Sequence, residues 1–195
     1  MDTVESLLKA VPIGLLIRSI FAGGFFVIAF CLTKSPQPDW TTIEGKTLFE
    51  TALPISLFAG MLVYGIQRAL FYPLVELVFE SKLGDWLVKL SIKDRVIDTA
   101  IWRWNLNLQK PLDNKLLNEQ LNRWADHIHT QYSVFLCIIF GSLAAWGLDT
   151  KSKYDISKPL FWTAVLFLGS GLFNNARHYG FINGVKAKGY FVDKI

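Results

Sequence analysis

The chain has 195 residues (22.1 kDa), of which 52% are hydrophobic, 14% aromatic and only 18% charged, and its mean hydropathy is +0.33. Soluble domains carry about a quarter charged residues, so composition argues against a water-soluble fold, and 14 glycines with 7 prolines are too few for a disordered or collagen-like chain. The formal charge of +4 suits a membrane protein with basic cytoplasmic flanks; no nucleic-acid motif accompanies it, so no direct nucleic-acid partner is expected.

In chain order, four runs approach the ~20 apolar residues that cross hydrocarbon. Residues 11–32 (VPIGLLIRSIFAGGFFVIAFCL) are interrupted only by Arg18, and residues 51–75 (TALPISLFAGMLVYGIQRALFYPLV) only by Arg68. Residues 130–148 and 159–176 carry no charge. A cleaved signal is the rival for the first run, but Thr33, Lys34, Ser35 and Pro36 lack a small-x-small pattern, so it reads as a retained helix. Backbone groups in lipid must be satisfied internally, which makes each crossing a helix. The expected fold is all-α: one polytopic membrane domain over 1–195 with four transmembrane helices and a helical cytoplasmic insertion, 76–129, between spans two and three.

Orientation follows from the basic residues. The insertion holds eight (Lys82, Lys89, Lys93, Arg95, Arg103, Lys110, Lys115, Arg123) and the C-terminal segment four (Arg177, Lys186, Lys188, Lys194). The first loop holds only Lys34 and Lys46, and the third Lys151, Lys153 and Lys158. Both termini and the insertion are therefore expected in the cytoplasm, in the cell inner membrane. Trp40, Trp146 and Trp162 fall near the outer interface; Phe71, Tyr72, Trp86, Tyr132 and Tyr179 fall near the inner one.

Within the insertion, Leu83, Trp86, Leu87, Leu90, Val96, Ile97, Ile101, Trp102 and Trp104 suggest one or two amphipathic helices, with a membrane surface as one resting place. Pro111 is expected to end that stretch. Asp113 or Asn114 then caps a helix in which Leu117, Leu121, Trp124 and Ile128 form an apolar stripe running into the third span, one helix from about 114 to 148. A stripe outside lipid must be buried against this chain, a second copy or a soluble partner. About fifty residues rarely support a lone domain, so a homo-oligomer or a cytosolic partner bound through Trp102, Trp104, Leu117, Leu121 and Trp124 is the expectation.

Arg18, Arg68 and Arg177 would lie toward the cytoplasmic ends of their spans, where snorkelling to headgroups competes with a shared basic ring that holds anionic lipid or forms a pore mouth. Asn174 and Asn175 would join it. Arg123, Asp126, His127 and His129 form the densest titratable cluster, read as a polar collar below the membrane. Cys31 and Cys137 lie in apolar runs as packing residues, and three histidines with no converging set give no metal centre. Gly23 and Gly24, Gly60 and Gly65, and Gly169 and Gly171 let helices approach closely; Gly60 and Gly65 are one residue off GxxxG spacing, so this reads as a packing tendency. Phosphate-binding, nucleophile-elbow and zinc-hydrolase motifs are missing from the sequence, so neither an enzyme nor a cofactor is expected.

Arg123 and His129 satisfy an R-x5-H spacing that resembles the HEPN ribonucleases. As architecture, the chain resembles the small four-span membrane subunits of bacterial anti-phage systems. These are the Kiwa membrane subunit and the membrane accessory proteins encoded beside RNA-targeting effectors of the Cas13b type. The first resemblance implies an inner-membrane homo-oligomer that senses infection and docks a cytosolic partner. The second implies a multimeric pore that depolarises the cell. A membrane immunity protein is a third reading.

Overall fold

The computed structural model describes residues 13–33, 45–91, 111–148 and 158–187. Apart from the corner at residues 80–81 they are helical, and no strand occurs among them. The helices are α1 (Ile13–Thr33), α2 (Gly45–Ile66), a π-helical turn (Gln67–Phe71), α3 (Tyr72–Phe79), α4 (Lys82–Ser91), α5 (Pro111–Leu148) and α6 (Lys158–Ala187).

Two prolines explain the irregular course of the second helix. Pro54 lies inside α2 and has no N–H for the carbonyl of Glu50. Pro73 stands in the first turn of α3, directly after the widened turn Gln67–Phe71. A π-turn lengthens the carbonyl-to-amide reach, which spares the proline ring its clash with the carbonyl four residues earlier. Helical structure thus runs from Gly45 to Phe79 past the expected exit at residue 75. Pro111 opens α5, three residues before the expected start near 114, because at the first helical position its missing N–H is one that no intrahelical carbonyl would accept; the stretch it was expected to end runs into residues outside those described.

Three helical stretches are long and apolar enough to cross a membrane: Ile13–Thr33, Glu50–Phe79 and Leu117–Leu148. Only 22% and 28% of the apolar windows of the first two are buried inside the chain, so most of their apolar surface calls for a solvent other than water. The run 159–176 lies in α6 but is not among the three; Asn174 and Asn175, with Gly169, Ser170 and Gly171, dilute it.

The chain divides into two compact units. The first comprises 13–33, 45–69, 130–148 and 158–168. In it α1 and α2 pack antiparallel through backbone: Gly23 faces the Ser56 carbonyl and the Gly60 nitrogen, and Gly60 faces Ser19. A Cβ on either glycine would overlap the partner backbone. The same α1 takes α5 at Gly141, which abuts Phe26 and Ala29, and Thr33 Oγ1 donates to Ser142 Oγ at 3.3 Å. It meets α6 edge-on through Phe25 and Phe167, 5.4 Å between ring centres. An apolar cleft of about 510 Å³ lies between α1, α2 and α5, lined by Phe26, Pro54, Phe58, Leu62, Ile66 and Phe140 among others.

The second unit comprises 70–91, 111–129 and 169–187. In it the C-terminal half of α6 joins the described residues of 70–129 and supplies core residues. Leu117, Leu121 and Ile128 of α5 and Ala176, Phe181 and Val185 of α6 are at most 1% exposed, and Val75 and Phe79 of α3 are buried with them. Each such burial is worth about 1.5–3 kcal/mol for a Leu, Ile, Val or Phe, so residues of α6 far along the chain contribute substantially to holding this unit together.

Candidate functional site

The second unit gathers its chemistry around Trp124. One turn beyond Leu121 on α5, Trp124 is half-buried, and three residues of α6 close on it. The His178 ring meets it edge-on at 5.4 Å, Phe181 lies tilted at 6.0 Å, and the Arg177 guanidinium stands over its face at 5.9 Å. The guanidinium also lies 5.7 Å from the Phe173 ring, so it is flanked by two aromatic faces. Such stacking favours a permanent cation in a partly dry place. Arg177 Nε is buried without a hydrogen-bond partner.

His178 is 5% exposed. Its Nε2 lies 3.2 Å from the Leu121 carbonyl oxygen; a carbonyl only accepts, so Nε2–H donates and the neutral ring carries its lone pair on Nδ1. Burial pushes the His178 pKa below the usual imidazole value, against a smaller upward effect of that hydrogen bond. The residue lies beyond the apolar run 159–176. One turn earlier, Asn175 is fully buried, and neither of its side-chain polar atoms has a hydrogen-bond partner. An unsatisfied buried amide costs about 1–3 kcal/mol, a penalty this core carries in addition to the unbonded Arg177 Nε.

On the other side of α6, Tyr179 stacks on Phe79, 5.4 Å apart and 9° from parallel. Burial first, then the charges of Glu76 and Glu80, raise the Tyr179 pKa. Tyr72 meets His129 at 4.4 Å, and His129 is 3% exposed.

The structure treats the sequence-derived site residues unequally. Leu117 and Leu121 are 0% exposed; they are core residues of the second unit and present nothing to a partner, and Trp124 is mostly engaged by α6. Part of the cover of the stripe comes from α6 of the same chain, through the contacts of Trp124 and of the Leu121 carbonyl. Trp102 and Trp104 lie outside the described residues. Of the basic ring, Arg18 and Arg68 belong to the first unit and Asn174, Asn175 and Arg177 to the second. Arg68 is exposed, its guanidinium 5.7 Å from the Tyr64 ring one turn earlier, and Arg18 is half-buried. The collar divides as well. Arg123 and His127 face outward, Asp126 is half-buried, and His129 is buried. Six residues of helix put Arg123 and His129 about 120° apart, so the R-x5-H spacing does not form one site.

Sequence reasoning missed His178 and Phe181 because the fourth apolar run seemed to end at residue 176. A signal was present: Asn175, His178, Phe181 and Val185 recur at helical spacing beyond the run. Among the described residues, no group of three or more His, Cys, Asp or Glu side chains is placed to hold a metal. No family model, curated protein or solved structure matches this chain.

Proposed function

We propose that the protein is a homo-oligomeric, four-crossing protein of the cell inner membrane. In this reading both termini are cytoplasmic, and its polar helical half senses a membrane event and docks a cytosolic partner, in the manner of an anti-phage membrane subunit. The observation that carries the reading is α5. At about 1.5 Å per residue its 38 residues span about 57 Å, nearly twice the ~30 Å of hydrocarbon, and the excess is polar. Lys115, Glu119, Arg123 and His127 are exposed along that excess at spacings of four, a ready surface for a soluble protein. The fourth crossing is the run 159–176, which is charge-free, and the basic excess of the segment between spans two and three supports the cytoplasmic assignment.

The test is co-expression with the products of adjacent genes, followed by detergent extraction and native mass spectrometry. The reading expects a multimer carrying a soluble protein, lost on Arg123→Glu with Lys115→Glu. Monomers with no bound partner, together with loss of membrane potential when the chain is expressed by itself, would replace it with the pore-forming reading.

A further inference from the structure

The corner between α3 and α4 is tightly built. The Glu80 and Ser81 amides donate to Glu76 and Val78 carbonyls at 2.9 and 3.2 Å, which ends α3. Ser81 Oγ donates to Val78 O at 2.6 Å, and the Asp85 amide donates to Ser81 O at 3.2 Å, which starts α4. Gly84 then sits directly on the backbone of Phe79, where a Cβ would overlap the Phe79 carbonyl oxygen and Cα. The chain therefore folds back sharply where a membrane-competent helix ends, and α4 does not extend it outward.

The two faces of α4 differ. Gly84 is buried, and Leu87 and Val88 are half-buried. Leu83, Trp86 and Leu90 are 55%, 56% and 64% exposed; at about 100° per residue they fall within an arc of roughly 60°. Lys82 and Lys89, both exposed, lie together on one flank of that arc. An indole and two leucines outward, with lysines beside them, is the pattern of a helix lying in the acyl–headgroup boundary.

Position agrees with pattern. Leu70, Leu74, Leu77 and Val78 keep an exposed apolar stripe down to the corner, so the lipid-facing surface of the second span continues to within four residues of Lys82. From the expected exit at residue 75 to Lys82 is about 10 Å of helix, comparable to the depth of one headgroup layer. Exposed Glu80 and Asp85 point away from the hydrocarbon reading and toward its polar edge.

We propose that α4 is an interfacial anchor: its Leu83–Trp86–Leu90 face rests in the lipid boundary of the leaflet where the second span ends, and Lys82 and Lys89 reach the phosphates. The occupant of this face is lipid, and the proposal stands independently of the docking reading above.

The experiment places single spin labels at Leu83→Cys, Trp86→Cys, Leu90→Cys and Asp85→Cys in the full chain, with Cys31→Ala and Cys137→Ala, in lipid nanodiscs. Labels at 83, 86 and 90 should collide with oxygen more than with a water-soluble nickel complex, at a depth of about 5–10 Å, and the label at 85 should show the reverse order. Nickel access at all four positions would overturn the proposal, placing the face in water. Immobile labels at 83, 86 and 90 that neither reagent reaches would overturn it equally, since protein would then cover the face. Should the cysteine variants fail to fold, the native chain in bromolipid nanodiscs gives a second measurement. Trp86→Phe should lower the quenched fraction of tryptophan fluorescence, and an unchanged fraction counts against the anchor.

Discussion

Adjacent glycines on α1 offer a sharp test of the first unit. A Cβ at Gly23 would stand 2.5 Å from the Ser56 carbonyl carbon and 2.9 Å from the Gly60 nitrogen, whereas one at Gly24 meets nothing within 4 Å. Carbon contacts settle near 3.5–4 Å, and the Ser56 carbonyl oxygen lies closer still, so Gly23→Ala must part α1 and α2 by more than about 1 Å. That separation forfeits a quarter to a half of each dispersion contact along the seam, and overpacking of this kind costs about 1–3 kcal/mol, occasionally more. The obstacle is backbone on both sides and cannot be relieved by a rotamer change, so the upper end, about 3 kcal/mol, is expected. Gly24→Ala should instead gain up to about 0.5–1 kcal/mol from better helix propensity. The difference of about 3–4 kcal/mol is more than two orders of magnitude in the unfolding equilibrium. Reversible unfolding in mixed micelles, followed by circular dichroism, reads it directly. Equal effects from the two substitutions would refute the backbone-contact account of the helix pair.

Three further outcomes concern the second unit. Trp124→Ala removes the ring shared by Arg177, His178 and Phe181 and should cost about 3–5 kcal/mol, seen as faster amide exchange over 111–129 and 169–187 with little change in α1. Asn175→Leu replaces a buried, unbonded amide by an apolar group of similar volume and should stabilise by about 1–3 kcal/mol; a lower melting temperature would mean the amide holds a partner. The lowered pKa of His178 means the unfolded chain binds its proton first, at about pH 6.5. Its stabilising contribution is therefore complete above that pH and is lost as pH falls toward the folded value. Unfolding titrations should show this acid-side loss, flattened in His178→Gln; an unchanged slope would assign it to another group.

The three strongest apolar stretches were legible because hydropathy over twenty residues is an additive signal. The continuity of α5 was legible because Leu117, Leu121, Trp124 and Ile128 keep one helical face into the third span. What covers that face was not, since helical spacing reports a buried side and is silent on the partner; Phe181 and Val185 lie sixty residues away in sequence. The start of α5 at Pro111 rather than near 114 was not legible either, because the same ring can end one helix and open another, depending on which side has free amides. The α1–α2 seam was legible in part: Gly23 and Gly60 read as points of close approach, but not as each other's partners. Attention to glycine pairs on one helix passed over Ser19 with Gly23 and Ser56 with Gly60, two small-x-x-x-small pairs that meet only across the helices.

Trp124 meets one permanent cation and one group that becomes a cation only in acid. The guanidinium of Arg177 keeps its charge throughout the accessible range, while the imidazole of His178 gains one only in acid. An indole is quenched by a neighbouring imidazolium and little affected by the neutral ring, so the chain carries its own optical gauge of that proton. The difference in emission between the native protein and Trp124→Phe, followed against pH, would report the charge on one buried histidine without any attached dye.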